Sequence, residues 1–307
     1  MLQRLMNLNL TGWRYLGLAM SSVLSLVAVW LLVTRGLHLG LDFTGGTLLE
    51  LQIRTLQTGG ELNDKLAGLA PAAWHLLPGG GAGEWLLKLP PEAMSGTPQA
   101  VAEQLQQFLQ LPVELTRATQ VGPQIGAELF SQGMLALLVA SLAITVYLAM
   151  RFEWRQAVGV LLSVAHDALL ALGLIAALQI EFDLNIIAGL MAVIGYSLND
   201  SIVISDRLRD LLLASPNQAI HQISDRAIRA TFSRTLITSG TTLFTVGALM
   251  LYGGESLYGF SLTLFVGVLA GTLSSITVAS TCQELLGLSA AAYAKAPIER
   301  EVWDGVG

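Results

Sequence analysis

LNIIAGLMAVIGYSLNDSIVIS, from Leu184 to Ser205, runs for 22 residues with one charged side chain, Asp200. About 20 consecutive apolar residues cross the hydrocarbon core of a bilayer, so the stretch reads as a transmembrane helix. A carboxylate at the centre of such a helix costs roughly 2.5–3.5 kcal/mol on insertion scales, which makes Asp200 a candidate functional residue by position alone. The competing reading is a hydrogen bond between helices that only holds the structure together. Asp200 lies six residues from Asp206 at the end of the stretch, about 9 Å of helix rise. It is therefore nearer one edge of the membrane than its middle, where burial costs less.

The rest of the chain reads the same way. Of its 307 residues 53% are hydrophobic and only 12% charged, with a mean hydropathy of +0.61, far more apolar than a soluble domain. The charges cluster and leave six candidate spans: Tyr15 to Thr34, Leu129 to Met150, Gln156 to Ile180, Leu184 to Ser205, Thr235 to Gly254 and Ser256 to Gln283. Only the third and fourth hold an acid, Asp167 and Asp200. Arg4 and Arg14 precede the first span, Arg151 and Arg155 lie between the second and third, and Arg207, Arg209, Arg226, Arg229 and Arg234 lie between the fourth and fifth. The short connections at Glu181-Phe182-Asp183 and Glu255 carry no Lys or Arg. The positive-inside rule then places both termini in the cytoplasm and exports the long segment after the first span. The first span is too long for a signal-peptide core and has no small-residue cleavage pattern at Thr34-Arg35-Gly36-Leu37, so it is expected to remain as an anchor. Cys282 is the single cysteine and can form no intrachain disulfide.

The expected organisation is residues 1–35 as cytoplasmic N-terminus and first helix, 36–121 as an exported domain, 122–285 as helices two to six with a cytoplasmic amphipathic segment at 206–234, and 286–307 as a cytoplasmic tail. In the exported domain Leu49, Leu51 and Ile53 alternate with Glu50, Gln52 and Arg54, the period of a half-buried strand within Thr47 to Arg54. Leu62, Leu66 and Leu69 have helical spacing across Glu61 to Leu69. Strands at Ala72 to Leu77 and Glu84 to Leu89 flank the glycine-rich turn Pro78 to Gly83, predicting a hairpin. Thr97-Pro98 opens a second helix carrying Val101, Leu105 and Phe108, and Leu111 to Thr116 closes the set as a strand. The order β-α-β-β-α-β is that of a ferredoxin-like α+β domain.

Within the helices, Gly259, Thr263, Gly267, Gly271 and Ser275 recur every four residues, a ridge about 24 Å long on which a neighbour can pack closely. Ala188, Ala192, Gly195 and Asn199 form a similar face on the fourth span. The fifth span is rich in hydroxyls, among them Thr238, Ser239, Thr241, Thr242 and Thr245, which either bond to their own helix or line a polar face. Arg234 enters from the same edge as Asp200, and its side chain is long enough to approach that carboxylate. A nearby cation and removal of water act in opposite senses on a carboxylate's proton affinity, so a movement that makes or breaks such a pair switches it. Asp200, Arg234, Asp167 and Asn199 are therefore candidates for a proton relay, with His166, Ser239 and Thr242 as further candidates. Neighbouring helix positions point about 100° apart, so Asp167 is expected to face the bundle and His166 a boundary or cavity. After Ser215-Pro216 a helix is expected with Ile220, Ile223 and Ala227 on one stripe and His221, Asp225, Arg226 and Arg229 opposite, a pattern that fits either the membrane surface or a cytoplasmic partner, and the sequence does not choose between them. No nucleotide loop, metal cluster or nucleophile-base arrangement occurs, which points away from enzyme chemistry, cofactors, metals and nucleic acid and leaves the ion gradient as the energy source.

Leu41-Asp42-Phe43-Thr44-Gly45-Gly46, Val121-Gly122-Pro123-Gln124-Ile125-Gly126, Ala165-His166-Asp167, Gly195 to Asp200 with Asp206-Arg207, and Ser233-Arg234-Thr235-Leu236 with Thr238-Ser239 together resemble the signature segments of the SecD/SecF family of protein-export membrane subunits. The resemblance covers about residues 12–285. It implies a six-helix transmembrane bundle of the resistance-nodulation-division superfamily, paired with a SecD half, associated with the SecYEG channel and with YajC and YidC in the inner membrane. It further implies use of the proton-motive force to promote preprotein translocation, with Asp200 and Arg234 at positions implicated in proton conduction. The readings set against it are half of a proton-coupled small-solute antiporter and a non-conducting structural subunit.

Overall fold

The computed structural model describes residues 10–54, 59–67, 74–79, 81–93 and 96–293. In chain order the elements are α1 (Leu10–Arg35), β1 (His38–Leu39), α2 (Leu41–Thr44), β2 (Gly46–Ile53), α3 (Gly59–Ala67), β3 (His75–Pro78), β4 (Glu84–Leu89), α4 (Pro98–Leu109), β5 (Val113–Val121), α5 (Pro123–Arg151), α6 (Trp154–Leu178), β6 (Glu181–Phe182), α7 (Leu184–Ala214), α8 (Ile220–Tyr252), α9 (Glu255–Ser274) and α10 (Ser280–Leu285). Among the described residues six helices are long and apolar enough to cross a membrane, the last running from α9 through a π-helical stretch, Ser275–Ala279, into α10. The chain is a multi-pass membrane protein.

Local chemistry sets where the helices begin. Gly122 caps α5 with Pro123 at its first position, where a missing N–H costs nothing. The Glu153 carboxylate accepts from the Arg155 amide at the start of α6, and the Asp183 carboxylate accepts from the Ile186 amide, 2.9 Å away, at the start of α7. Burial raises the affinity of Asp183 for its proton above that of an ordinary carboxylate. Helices α6, α7 and α9 form the interior, while α1, α5 and α8 present apolar side chains such as Leu26, Leu138 and Phe244 outward.

The small-residue ridge of α9 lies against α7. A Cβ built on Gly259 would come within 3.1 Å of Ile186, one on Gly271 within 3.3 Å of both Ser197 and the Asp167 carboxylate, and one on Gly267 would overlap Val193 at 2.1 Å. Ser275 is buried, but there the π-helical stretch begins, so the four-residue ridge does not continue past it.

The extramembrane domain forms one antiparallel sheet in the order β3-β4-β2-β5, with α3 and α4 packed on it. This is the split βαβ arrangement expected of the pattern. Its core joins Leu49, Leu51 and Ile53 of β2 to Leu87 and Leu89 of β4, Leu62 and Leu66 of α3, and Val101 and Leu105 of α4. The Thr97 hydroxyl accepts from the Ala100 amide, capping α4 as its sequence suggests. Strand β5 is longer than Leu111 to Thr116: it runs to Val121, because its second half pairs with the start of β2, Gly46 opposite Val121. The strand β3 is described from His75, and Ala72 and Leu69, which belong to the expected strand and helix, lie outside the described residues.

Leu41 to Gly46 seats this sheet on the bundle. Phe43 packs against Phe130 of α5 and Phe182 of β6, with ring centroids 5.2 and 5.8 Å apart. Asp42 accepts from the Leu184 amide at 3.2 Å, β1 pairs in parallel with β6, and Lys88 of β4 forms a 2.7 Å ion pair with Glu181. Gly45 and Gly46 adopt φ of 78° and 145°, conformations that favour glycine, and a Cβ on Gly46 would lie 2.5 Å from the Leu89 carbonyl oxygen.

At the opposite end of the bundle the segment 206–234 is not a separate surface helix. Asp206 to Ala214 continues α7, and Ile220 to Arg234 opens α8, one unbroken helix of 33 residues. The apolar stripe Ile223 and Ala227 packs on Leu208, Leu212 and Leu288. The polar side is also engaged. Asp225 binds Arg14 of α1 at 2.9 Å, and Arg14, only 1% exposed, binds Glu284 at the same distance. This buried charge group holds three helices together and draws Asp225 inward from the polar side of α8, on which Arg226 and Arg229 stay exposed.

Two consequences are measurable. Gly126→Val would drive a side chain toward the Phe43 carbonyl, 2.6 Å from an added Cβ, and should lower the denaturation midpoint of the solubilised protein by the equivalent of about 1–3 kcal/mol. Gly122→Ala, where nothing lies within 4 Å of the added atom, should leave the midpoint unchanged. Gly267→Leu should destabilise by at least as much as Gly126→Val, and an unchanged midpoint would contradict the close packing of α7 on α9.

Candidate functional site

Asp167 and Asp200 are both buried in the bundle, at 0% and 3% exposure, and each is met by hydroxyls from neighbouring helices. Asp167 projects from α6 into the contact with α7 and α9. One carboxylate oxygen accepts from Ser197 Oγ at 2.6 Å and from Ser274 Oγ at 2.8 Å. Ser274 Oγ in turn accepts from Ser163 Oγ at 2.9 Å, one helical turn before Asp167 on the same face of α6. The small Gly271 admits this close approach.

His166 differs from expectation. It does not turn away from its neighbour: its Nδ1 lies 2.9 Å from the other Asp167 oxygen, because two adjacent flexible side chains can bend together across the 100° that separates their Cα–Cβ directions. Its Nε2 is buried and without a partner among the described residues.

Asp200 accepts from Ser239 Oγ of α8 at 3.3 Å, and Ser239 Oγ accepts from Thr272 Oγ1 of α9 at 2.8 Å. Of the hydroxyls anticipated on the fifth span, Ser239 is the one that reaches an acid. Thr238, Thr241, Thr242 and Thr245 donate to carbonyls of their own helix. Asn199 is exposed beside Asp200 and does not join the carboxylate. Arg234 is exposed at the same level of the chain and forms no ion pair with Asp200, since none brings its guanidinium within 4.0 Å of a carboxylate oxygen among the described residues. The pairing considered from the sequence is thus open in this conformation.

A carboxyl surrounded by hydroxyls suits proton exchange. Each O–H both donates and accepts, so rotation of the hydroxyl satisfies the carboxyl with or without its proton. A fixed guanidinium partner would hold only the charged form. The Ser197, Ser274, Ser163 and Thr272 partners were not singled out from the sequence. One signal was available: Ser197, Ser201 and Ser205 repeat every four residues through the span that carries Asp200, and all three are buried. Among the described residues no group of three His, Cys, Asp or Glu is arranged to hold a metal ion.

Comparison with known proteins places these features in a family. The description Protein export membrane protein SecD/SecF, C-terminal, matches residues 100–288, and SecD/SecF GG Motif matches residues 30–55, the segment of the Gly45-Gly46 seat. Protein translocase subunit SecF of Escherichia coli O157:H7 is 38% identical over 296 residues, covering 94% of this chain and 91% of that protein. The SecF subunit of Pseudomonas aeruginosa is 38% identical over 283 residues, covering 92% of each. The crystal structure of SecDF from Thermus thermophilus, a translocon-associated membrane protein, superimposes with a TM-score of 0.79 at 34% identity over 91% of this chain. A super-membrane-facing form of SecDF gives 0.69 at 33% identity. In both cases this chain spans 38% of the longer SecDF polypeptide. By family profile, sequence identity over nearly its whole length and fold, the chain belongs to the SecD/SecF family of protein-export membrane proteins, on the SecF side.

Proposed function

We propose that the chain is the SecF half of a proton-driven subunit of the Sec export machinery, and that Asp200 is the carboxyl through which the proton gradient acts. The observation that carries this reading is the placement of Asp200, buried against Ser239 and Thr272 yet one residue from an open strip of the bundle. Gly195 and Asn199 share one exposed face of α7, Arg234 and Gly240 of the neighbouring α8 are exposed with Leu236 and Ile237 between them, and a Cβ added to Gly195 or Gly240 would meet nothing within 4 Å. A strip of small and polar residues at membrane depth needs another helix rather than lipid, and a SecD half of related fold supplies it.

When the strip closes, Arg234 comes toward Asp200, and the pair favours the charged carboxylate. When it opens, that attraction is lost, so proton uptake and helix movement are coupled. One proton crossing 100 mV releases about 2.3 kcal/mol, enough to bias one such movement but not to pull a long chain, so export needs repeated cycles. The seat at Leu41 to Gly46 carries the movement to the ferredoxin-like domain. In this reading the arginine-rich end and both termini face the cytoplasm, residues 36–121 face the periplasm, and the inner membrane holds the assembly. SecD is the direct partner, the SecYEG channel, YajC and YidC are associated, and the preprotein is the client. The proton gradient takes the place of a cofactor.

In sealed vesicles holding the chain with SecD, Asp200→Asn should reduce proton flux to that of protein-free vesicles and abolish gradient-dependent export, while the two subunits still copurify. Ser239→Ala should slow flux by about tenfold, the effect of losing one hydrogen bond to a charged group worth about 1.5 kcal/mol. Wild-type flux and export in Asp200→Asn would make Asp200 a structural bond between helices and end the proposal.

A further inference from the structure

A second polar seam lies inside the chain, away from the open strip. It starts at Asp167, His166, Ser197, Ser274 and Ser163 and continues toward the end of the bundle opposite the sheet domain. One turn beyond Ser197 on α7 is Ser201, wholly buried, and one turn further is Ser205, also wholly buried. Ser205 Oγ accepts from Gln283 Nε2 at 2.9 Å, and its backbone carbonyl accepts from Gln156 Nε2 at 2.9 Å. Gln156 Oε1 accepts from the Tyr293 hydroxyl. The seam thus crosses α6, α7 and α10 and reaches a half-buried phenol beside Glu153. Burial and the Glu153 carboxylate push the affinity of that phenol for its proton upward, so it stays a donor.

Beyond the His166 and Asp167 group, Ser201 Oγ and Gln283 Oε1 are buried along the seam and lack a partner among the described residues. Both belong to side chains at most 1% exposed, and both lie between the Asp167 group and the Gln156 and Tyr293 group in sequence register. A buried hydroxyl or amide oxygen left unpaired is costly, and such atoms mark the places where ordered water completes a network. The π-helical stretch Ser275–Ala279 occurs at this level, and Gly159 of α6 brings its Cα side within 2.8 Å, measured from an added Cβ, of the Ala279 carbonyl oxygen.

We propose that this seam is a water-completed proton path running from the Asp167 carboxyl past Ser201 to the Ser205 hydroxyl, held at its far end by Gln156 and Tyr293 and separate from Asp200 and the open strip. It rests on the proton-coupled reading above and adds a second buried carboxyl to it. Water bound at Ser201 and Gln283 passes the proton: each oxygen takes one proton on a lone pair and releases one of its own, and no charge is left behind. Ser163, Ser197 and Ser274 continue the same exchange to Asp167. The amides of Gln156 and Gln283 do not carry the proton; they are positioning residues that orient the water and the serine hydroxyls. His166, whose Nδ1 lies against the other Asp167 oxygen, is the one other titratable group facing Asp167 among the described residues.

Proton uptake is measured in sealed vesicles holding the full chain with its SecD partner, for the wild type, Ser201→Ala, Gln283→Leu, Gln283→Glu and Asp200→Asn. Ser201→Ala and Gln283→Leu should slow uptake by about tenfold or more with an unchanged unfolding midpoint, and Gln283→Glu should retain most of the rate. Wild-type uptake in both Ser201→Ala and Gln283→Leu, beside lost uptake in Asp200→Asn, would overturn the seam and leave the Asp200 reading standing. Lost uptake in the seam variants beside wild-type uptake in Asp200→Asn would support the seam and sink the Asp200 reading. A fall in unfolding midpoint that tracks the fall in uptake, with no recovery in Gln283→Glu, would make the seam structural packing and overturn it.

Discussion

The approach of α9 to α7, made close by Gly259, Gly267 and Gly271, sets the conditions for the other features of the bundle. Side chains at these positions would hold the helices apart, and Asp167 would lose the two serine hydroxyls that come from opposite sides to one of its oxygens. A buried carboxylate without such partners would be expensive, so small residues on one helix permit an acid on another. The same packing brings Thr272 to Ser239 and Ser239 to Asp200. The ridge is therefore more than a device for tight association: it determines which polar groups meet.

The two ends of the bundle are fastened differently. At the domain end the chain turns through Gly45 and Gly46 and inserts Phe43 between α5 and β6, an apolar seat reinforced by β1 on β6 and by Lys88 on Glu181. At the other end Arg14 binds Asp225 and Glu284, with little water present to weaken the charges. Between these fixed ends the strip with Gly195, Asn199, Arg234 and Gly240 is open. Movement by the proposed cycle is therefore expected at the strip, while the domain follows the bundle through its seat.

Much of this order is written in the residue pattern. The spans follow from apolar runs long enough for a bilayer, and the domain topology follows from period-two and period-four patterns with Thr97-Pro98 and glycine-rich turns between them. What the pattern does not carry is the identity of contacts between distant segments. Arg14 reads as one more cytoplasmic arginine until Asp225, more than 200 residues away, is placed beside it. His221, Asp225 and Arg226 have the spacing of a solvated face; Arg226 stays exposed, and the path of α8 beside α1 brings the Asp225 carboxylate and the His221 carbonyl to Arg14. The serines around Asp167 are individually ordinary helix residues, and their convergence depends on how three helices cross. Asp200 is recognisable as an acid in an apolar run and Ser239 as one hydroxyl of a polar face, but the pattern does not say that Ser239, and not Arg234, meets the carboxylate in this conformation.

The central claim is that the Asp200 carboxyl gains and loses a proton as the bundle works. Infrared difference spectroscopy of the chain with SecD in membranes, stepping the pH on one side, observes a carboxyl C=O band directly. The account predicts a pH-dependent band that vanishes in Asp200→Asn and moves when Ser239→Ala removes its hydrogen bond. A spectrum identical in wild type and Asp200→Asn across the whole pH step would contradict it.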